Sequence, residues 1–166
     1  MCAGQGRDVL GVLPDHPRVE DVLACLVELG PDLADDARSA ASRLGLDNVE
    51  VIEADASWTS VYANYVPANI ILCCGVSGSI SGDDMVRTVR ELPHLAASGA
   101  NVIWTMEGRP PDRRPWMRQI FRDAGFEEVG YETAEGALFG VGNARWPSAP
   151  LPFRPDVQMF IFRERE

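Results

Sequence analysis

Short apolar stretches alternate with longer amphipathic stretches along this chain, which is the pattern of strands alternating with helices. The most apolar stretch runs from Asn69 to Val76 and is typical of a parallel strand covered on both faces. Shorter stretches with the same character predict strands at 25–28, 49–54, 102–106, 127–133, 137–146 and 158–163.

Helix signals fall between these strands. Pro31 opens a stretch that ends near Leu44, with acidic residues in its first turn and an arginine in its last. Ser81 caps a second helix that runs to about Leu95. Two further helices are predicted at 8–14 and 115–124, and the segment 58–66 is ambiguous. The alternation predicts an α/β fold with a doubly wound, mostly parallel sheet, closed by an antiparallel, hairpin-like pair of C-terminal strands.

Length and charge narrow the class of protein. The 166 residues predict one domain, 1–166, and the net charge of −10 argues against a groove for nucleic-acid phosphates. We therefore expect a small-molecule partner and no nucleic acid. No apolar stretch reaches the ~20 residues of a membrane span, so no membrane partner is expected. The four cysteines lack C-x-x-C spacing, which predicts free thiols in a reducing cytoplasm and no metal site.

The richest chemistry lies at the start of the chain, in the glycine-rich turn Cys2-Ala3-Gly4-Gln5-Gly6-Arg7-Asp8. A turn of this kind before a helix presents backbone N–H groups and the positive helix end to a ligand. Glu28 ends the next strand, where ligands bind in open α/β sheets, and a carboxylate there suits a ribose diol. These features predict a nucleotide-type ligand. The alternatives are an ordinary turn and an acid that caps the helix at Pro31.

Two further residues end predicted strands. Asp55 follows the strand 49–54 at the same sheet edge as Glu28 and could accept a hydrogen bond from an adenine amino group, although an N-cap role fits its spacing equally well. Gly75 ends the strand 69–76 and leaves room for a ligand, but a plain turn explains it equally well.

The order of four segments resembles class I S-adenosylmethionine-dependent methyltransferases over residues 1 to about 130. These segments are residues 2–8, 26–31, 53–56 and 72–76. The resemblance implies that Gly4 and Gly6 border the methionine and ribose of the cofactor, and that Glu28 holds the ribose diol. The implied cofactor-binding set is Ala3, Gly4, Gln5, Gly6, Asp8, Glu28, Leu29, Asp55, Ala56, Cys74, Gly75 and Val76, with the last three flanking the sulfonium.

The chain departs from that family in two places. Gly30 stands where a polar side chain is more usual. The family also has a whole strand before the glycine turn, whereas this sequence begins at the turn. The resemblance therefore implies a truncated first strand, from a misplaced start or a fragment, and leaves the activity of the 166-residue form open.

Two other classes remain as alternatives. An NAD(P)-binding Rossmann domain shares the glycines and the acid, but Asp8 and Val9 stand where its third glycine belongs. A non-catalytic binding module with a methyltransferase-like fold is the other.

The sequence assigns no catalytic residue, since methyl transfer from a sulfonium can proceed through alignment alone. Trp104 and Arg109 are the candidates for contact with the acceptor, with a core aromatic and a solvated loop as the respective alternatives. Arg113 and Arg114 follow in the same loop and could bind an anionic acceptor.

Overall fold

The computed structural model describes residues 1–133 and 137–163. Their contacts divide the chain into two compact units, Met1–Ala56 and Ser57–Glu166.

The first unit pairs two strands with two helices. Its elements are α1 (Arg7–Leu10), β1 (Ala24–Glu28), α2 (Pro31–Arg43) and β2 (Val49–Glu53). β1 and β2 are parallel neighbours, with Leu26 opposite Val51. Small and branched apolar side chains fill the core, namely Leu10, Leu13, Leu26, Ala41 and Leu46.

Local sequence explains α2. Pro31 occupies its first turn, where a missing N–H removes no helical hydrogen bond, and Asp32 and Arg43 match the helix dipole at the two ends. Its buried face consists of alanines, Ala34, Ala37 and Ala41.

The second unit contains a four-stranded mixed sheet. Its elements are β3 (Ala68–Cys73), α3 (Gly82–Glu91), β4 (Ala96–Glu107), α4 (Arg114–Asp123), β5 (Glu127–Glu132) and β6 (Phe139–Arg145). The strand order is β3-β4-β6-β5; β3 and β4 are parallel, and β6 is antiparallel to both β4 and β5. The C-terminal ends of β3, β4 and β5 therefore lie at one edge of this sheet, which we call the carboxyl edge.

An aromatic cluster forms much of the core of this unit. Trp104 stacks on Phe121 with ring centroids 5.7 Å apart, and Phe126 contacts both Phe121 and Trp146. Trp104 lies opposite Gly142 in the register of β4 and β6. A Cβ atom at Gly142 would overlap the indole, so a glycine is required where the ring crosses the neighbouring strand.

The fold class predicted from the sequence is confirmed, with parallel pairs and an antiparallel C-terminal strand. Several boundaries differ. The helix predicted at 8–14 is the short α1 followed by a 3₁₀ turn, Leu13–Asp15, and the ambiguous segment 58–66 contains a 3₁₀ turn at Thr59–Tyr62. The helix predicted to reach Leu95 ends as an α-helix at Glu91.

The prediction of a strand at 158–163 was wrong. Gln158 and Phe162 make isolated bridges to other segments, while Met159 and Phe160 are fully buried. The apolar residues that suggested a strand therefore anchor an extended segment in the core. The expected hairpin of the last two predicted strands is wrong as well, because β6 lies between β4 and β5.

The prediction that the strand 69–76 is covered on both faces holds only in part. Val76 and Cys73 are buried, but Ile70 is 62 % exposed, so one face of β3 is uncovered at that position. Among the described residues, no helix is long and apolar enough to cross a membrane.

Candidate functional site

The two glycines of the N-terminal turn have different surroundings and different structural roles. Both have positive φ, 54° at Gly4 and 70° at Gly6. A Cβ at Gly6 would lie 2.8 Å from Cδ1 of Leu26, so this glycine lets the turn pack on β1. No atom lies within 4 Å of the position of a Cβ at Gly4. Gly4 therefore presents bare backbone to open space, as a close-fitting ligand requires.

Glu28 connects that turn to the end of β1. Its Oε2 accepts a hydrogen bond from the Gly4 N–H at 2.7 Å, and its Oε1 accepts one from the Gly30 N–H at 2.9 Å. Gly30 is the N-cap of α2, but within the described residues no side chain makes a capping hydrogen bond to this helix, so neither contact makes Glu28 its cap. Each carboxylate oxygen keeps acceptor capacity for a further donor. Leu29, which follows, is exposed.

Glu28 and Asp55 follow neighbouring strands, and both affect the Cys2 thiol electrostatically. The Ala54 N–H donates to the carbonyl oxygen of Glu28, which places the end of β2 beside the end of β1. Burial raises the pKa of the Cys2 thiol to about 11, and the charges of Glu28 and Asp55 add to this rise. The structure thus brings the two predicted acids to one place, beside a cysteine that the predicted set omitted. Its only signal in the sequence is its position within the glycine-rich turn.

The other predicted residues of this turn have mainly structural contacts. Ala3 donates its N–H to the Val27 carbonyl oxygen at 2.9 Å, which ties the turn to β1. Gln5 donates from Nε2 to Asp36 of α2 at 2.7 Å. Asp8 lies exposed in the first turn of α1. Ala56, another member of the implied cofactor-binding set, is 3 % exposed.

The predicted residues Cys74–Val76 belong to the second unit, where they follow β3 at the carboxyl edge. Gly75 has φ of 74° and donates its N–H to Thr105 Oγ1 at 3.0 Å. Ser77 donates its hydroxyl to the Thr105 carbonyl oxygen at 2.7 Å. Thr105 of β4 therefore holds this loop through both its side chain and its backbone.

Thr105 was missed by the sequence-based prediction. The available signal is that it is the one hydroxyl-bearing residue in the apolar strand 102–106. A polar side chain that interrupts a buried strand needs a hydrogen-bond partner. What the sequence could not supply is the identity of that partner, Gly75, thirty residues earlier.

The two predicted acceptor contacts have different outcomes. Trp104 is 2 % exposed and stacks in the aromatic core, which favours the core alternative, and its contact with an acceptor stays a prediction. Arg109 follows β4 with its side chain 71 % exposed and paired with Glu107 at 2.7 Å. Within the described ranges, no group of three or more His, Cys, Asp or Glu is placed to hold a metal ion.

No family model matches the chain, and no curated protein matches it. Solved structures do. An O-methyltransferase family protein from Burkholderia thailandensis is similar at TM-score 0.71 and 16 % identity, over 89 % of this chain and 49 % of that one. An rRNA methylase, described as putative, from Clostridium thermocellum is similar at TM-score 0.64 and 11 % identity, over 90 % and 84 %. An RNA methyltransferase from Salinibacter ruber, in complex with S-adenosyl-L-homocysteine, is similar at 0.58 and 19 %, over 94 % and 83 %.

These similarities establish the fold, which is the Rossmann-like fold of class I methyltransferases. The chain spans about half the length of the first of these structures. The expectation of a small-molecule acceptor and no nucleic acid is contradicted, because structures with this fold include RNA methyltransferases. Net charge misled the prediction because it averages over the whole surface, whereas phosphate contacts depend on local groups.

Proposed function

We propose that this chain binds S-adenosylmethionine beside the glycine turn and acts as a methyltransferase. The observation that carries the proposal is the Glu28 carboxylate, which bonds to the N–H of Gly4 where that glycine faces open space. This arrangement offers acceptor oxygens to a diol next to bare backbone, which is what the ribose of the cofactor needs. The cofactor would supply an electrophilic methyl group on its sulfonium.

The residues of the proposed site fit S-adenosylmethionine better than they fit a dinucleotide. Asp55, the second acid beside Cys2, offers a further acceptor for an amino group. Val9 of α1 packs partly buried against the core at a position where a dinucleotide-binding turn has its third glycine. A side chain there limits how closely the helix can approach the strand. This contact disfavours the NAD(P)-binding alternative.

Calorimetric titration with S-adenosylmethionine and with NAD tests the proposal. We expect S-adenosylmethionine to bind and NAD not to bind. Glu28→Ala should weaken it by about 1.5–3 kcal/mol, the value of hydrogen bonds to a charged group, with Glu28→Gln intermediate. Glu20→Gln, at an exposed acid of the same unit, is the matched control and should bind as the wild type does. Binding of NAD without S-adenosylmethionine would reject the proposal. Unchanged affinity with a large fall in Tm for Glu28→Ala would make Glu28 a structural cap.

For the acceptor we propose RNA. RNA methyltransferases are among the proteins with this fold. Within this chain, residues 109–122 contain five arginines and one acidic residue, a local charge of +4 in a chain of −10. The guanidinium of Arg113 also lies over the Trp116 ring, 4.3 Å from its centroid. Arginines beside aromatic rings are typical of surfaces that contact single-stranded RNA.

Transfer of a radiolabelled methyl group from S-adenosylmethionine to total RNA tests this part. We expect label in RNA that ribonuclease removes. Label that survives ribonuclease, or that enters only protein, would reject RNA as the acceptor while leaving the methyltransferase proposal intact.

The four free cysteines are consistent with a cytoplasmic location, which we include in the proposal.

A further inference from the structure

A cavity of about 180 Å³ opens at the carboxyl edge of the second unit's sheet, between the start of α4 and the end of β5. Its lining residues are Asp112, Arg114, Pro115, Arg118, Tyr131 and Thr133. Ligands of open α/β sheets bind outside the carboxyl ends of the strands, so the cavity lies where this fold places its chemistry. None of its residues belongs to the predicted cofactor set.

Arg114 is held in a fixed orientation in this cavity. Its Nε and Nη2 donate to the two carboxylate oxygens of Asp112, both at 2.9 Å, and its Nη1 donates to Thr133 Oγ1 at 3.2 Å. The hydrogen bonds from Arg114 also hold the pKa of Asp112 below its ordinary value. Asp112 therefore stays ionised at neutral pH and keeps its hold on the guanidinium.

Arg118 is oriented in the same way by a different acid. Its Nε and Nη2 donate to the two oxygens of Glu128, and its guanidinium lies 4.8 Å from the centroid of the Tyr131 ring. These bonds use two of the five N–H donors of a guanidinium. The other N–H groups of Arg118 donate no hydrogen bond to any acceptor in residues 1–133 and 137–163, and they can donate to a ligand.

Stability is not the whole reason for this arrangement, since ion pairs at exposed sites usually contribute little, although bidentate pairs contribute more than single ones. Orientation gives a better one. A guanidinium that is already fixed loses less entropy when it binds an oxyanion, and its planar fork matches the oxygens of a phosphate. Tyr131 and Pro115 add flat apolar surface beside the two charges. A phosphate next to a ring or a sugar is the chemistry that these walls suit.

Building on the proposed function, we propose that this cavity binds a nucleotide of the RNA acceptor. Arg118 and Arg114 would contact its phosphate, and Tyr131 would contact its base or ribose. Glu128 would then have two opposite effects, because it orients Arg118 but also repels the phosphate that Arg118 attracts. Removing that negative charge without removing the side chain should therefore strengthen binding, which a purely structural role for the pair does not predict.

Binding of fluorescein-labelled hexauridylate, followed by fluorescence anisotropy, tests the proposal without requiring catalysis. We expect Arg118→Gln to weaken binding about 10-fold or more, as loss of a charged hydrogen bond implies. In this variant, the slope of the logarithm of affinity against the logarithm of salt concentration should also become shallower by about 0.7 per lost phosphate contact. Glu128→Gln should tighten binding several-fold. The matched control is Arg90→Gln on the exposed side of α3, which should leave affinity within about two-fold.

Several results would overturn the proposal. These are an Arg118→Gln affinity equal to that of Arg90→Gln, a Glu128→Gln variant that binds no tighter than wild type, or inorganic phosphate binding as tightly as the oligonucleotide. Arg118→Lys, which keeps the charge but not the fork, should weaken binding less than Arg118→Gln and serves if the glutamine variant folds poorly.

Titration of each variant with S-adenosylmethionine separates the two proposals. Cofactor binding without RNA binding rejects the cavity alone, and RNA binding without cofactor binding rejects the methyltransferase proposal alone.

Discussion

The two compact units of this chain differ in charge and in the size of the side chains in their cores. Residues 1–56 contain twelve acidic residues and four arginines, for a net charge of −8, whereas residues 57–166 contain thirteen and eleven, for −2. The first unit packs leucines and alanines, while the second packs Trp104, Phe121, Phe126 and Trp146 around one another. Most of the net charge of −10 therefore lies in about a third of the sequence.

This difference matches the ligands proposed for each unit. In the first, carboxylate oxygens and bare backbone meet around Glu28 and Gly4, which suits a ligand that offers hydroxyl or amino donors. In the second, arginines held by Asp112 and Glu128 suit a ligand that offers oxyanions. Net charge for the whole chain hides this contrast, because it adds the two units together.

The largest expected effect concerns the aromatic core of the second unit. Trp104→Ala removes a ring that is 2 % exposed and stacked on Phe121, and should lower the free energy of unfolding by about 3–5 kcal/mol. Denaturation in urea measures it. Trp58→Ala, at a partly exposed ring, is the control and should lose no more than about 1 kcal/mol. If Trp104→Ala lowers the free energy of unfolding no more than Trp58→Ala does, Trp104 is not a core residue and contact with the acceptor becomes the better interpretation.

The glycine turn of the first unit should show a smaller, graded effect. Gly6→Ala combines a positive φ with a Cβ 2.8 Å from Leu26, so we expect a loss of about 2 kcal/mol or more. Gly4→Ala has only the conformational cost, about 1 kcal/mol, because its surroundings are open. Gly4→Ala should instead weaken cofactor binding. Equal losses of stability at both positions would mean that Gly4 does not face open space.

The loop after β3 allows a test of Thr105. Thr105→Val removes the acceptor for the Gly75 N–H and should cost about 1 kcal/mol, whereas Thr105→Ser keeps the hydroxyl and should cost less. Hydrogen exchange at the Gly75 amide is the direct measurement. Faster exchange in the valine variant but not in the serine variant is the expected result. Equal exchange in both would show that the hydroxyl does not hold the loop.

A further expected effect is a pH dependence of the stability of the first unit. Burial raises the pKa of Cys2 and of Cys25 to about 11, from the ordinary value of 9.0. Because the folded pKa is the higher one, these thiols contribute stability that is complete below pH 9 and is lost as the pH rises toward 11. Unfolding free energies measured across this range should fall less steeply in Cys2→Ala.

Alkylation at pH 8 provides a second measurement of the same burial. A pKa shift of two units lowers the thiolate fraction by about 100-fold, so Cys2 should label far more slowly in the folded protein than in urea. Peptide mass spectrometry separates Cys2 from the other three cysteines. Equal labelling rates at Cys2 in the two states would contradict its burial.

The sequence by itself determined the local elements and the candidate cofactor residues of the first unit. Pro31, the charges at the ends of α2 and the alternating apolar stretches act within a few residues, where backbone preferences are set. The sequence singled out Gly4 and Glu28 as residues that border a cofactor, which stays a prediction, whereas the hydrogen bond between them was not predicted. The order of strands and helices was also sufficient for the fold class.

Only the tertiary structure decided which distant residues meet. Met159 and Phe160 have the apolar character of a strand, but whether such residues pair in a sheet or anchor an extended segment depends on backbone partners elsewhere in the chain. The same holds for Thr105 with Gly75, and for Arg118 with Tyr131, which lie thirty and thirteen positions apart. The physical reason is that periodicity records which face of an element is buried, whereas hydrogen bonds and ion pairs between elements depend on how those elements are brought together.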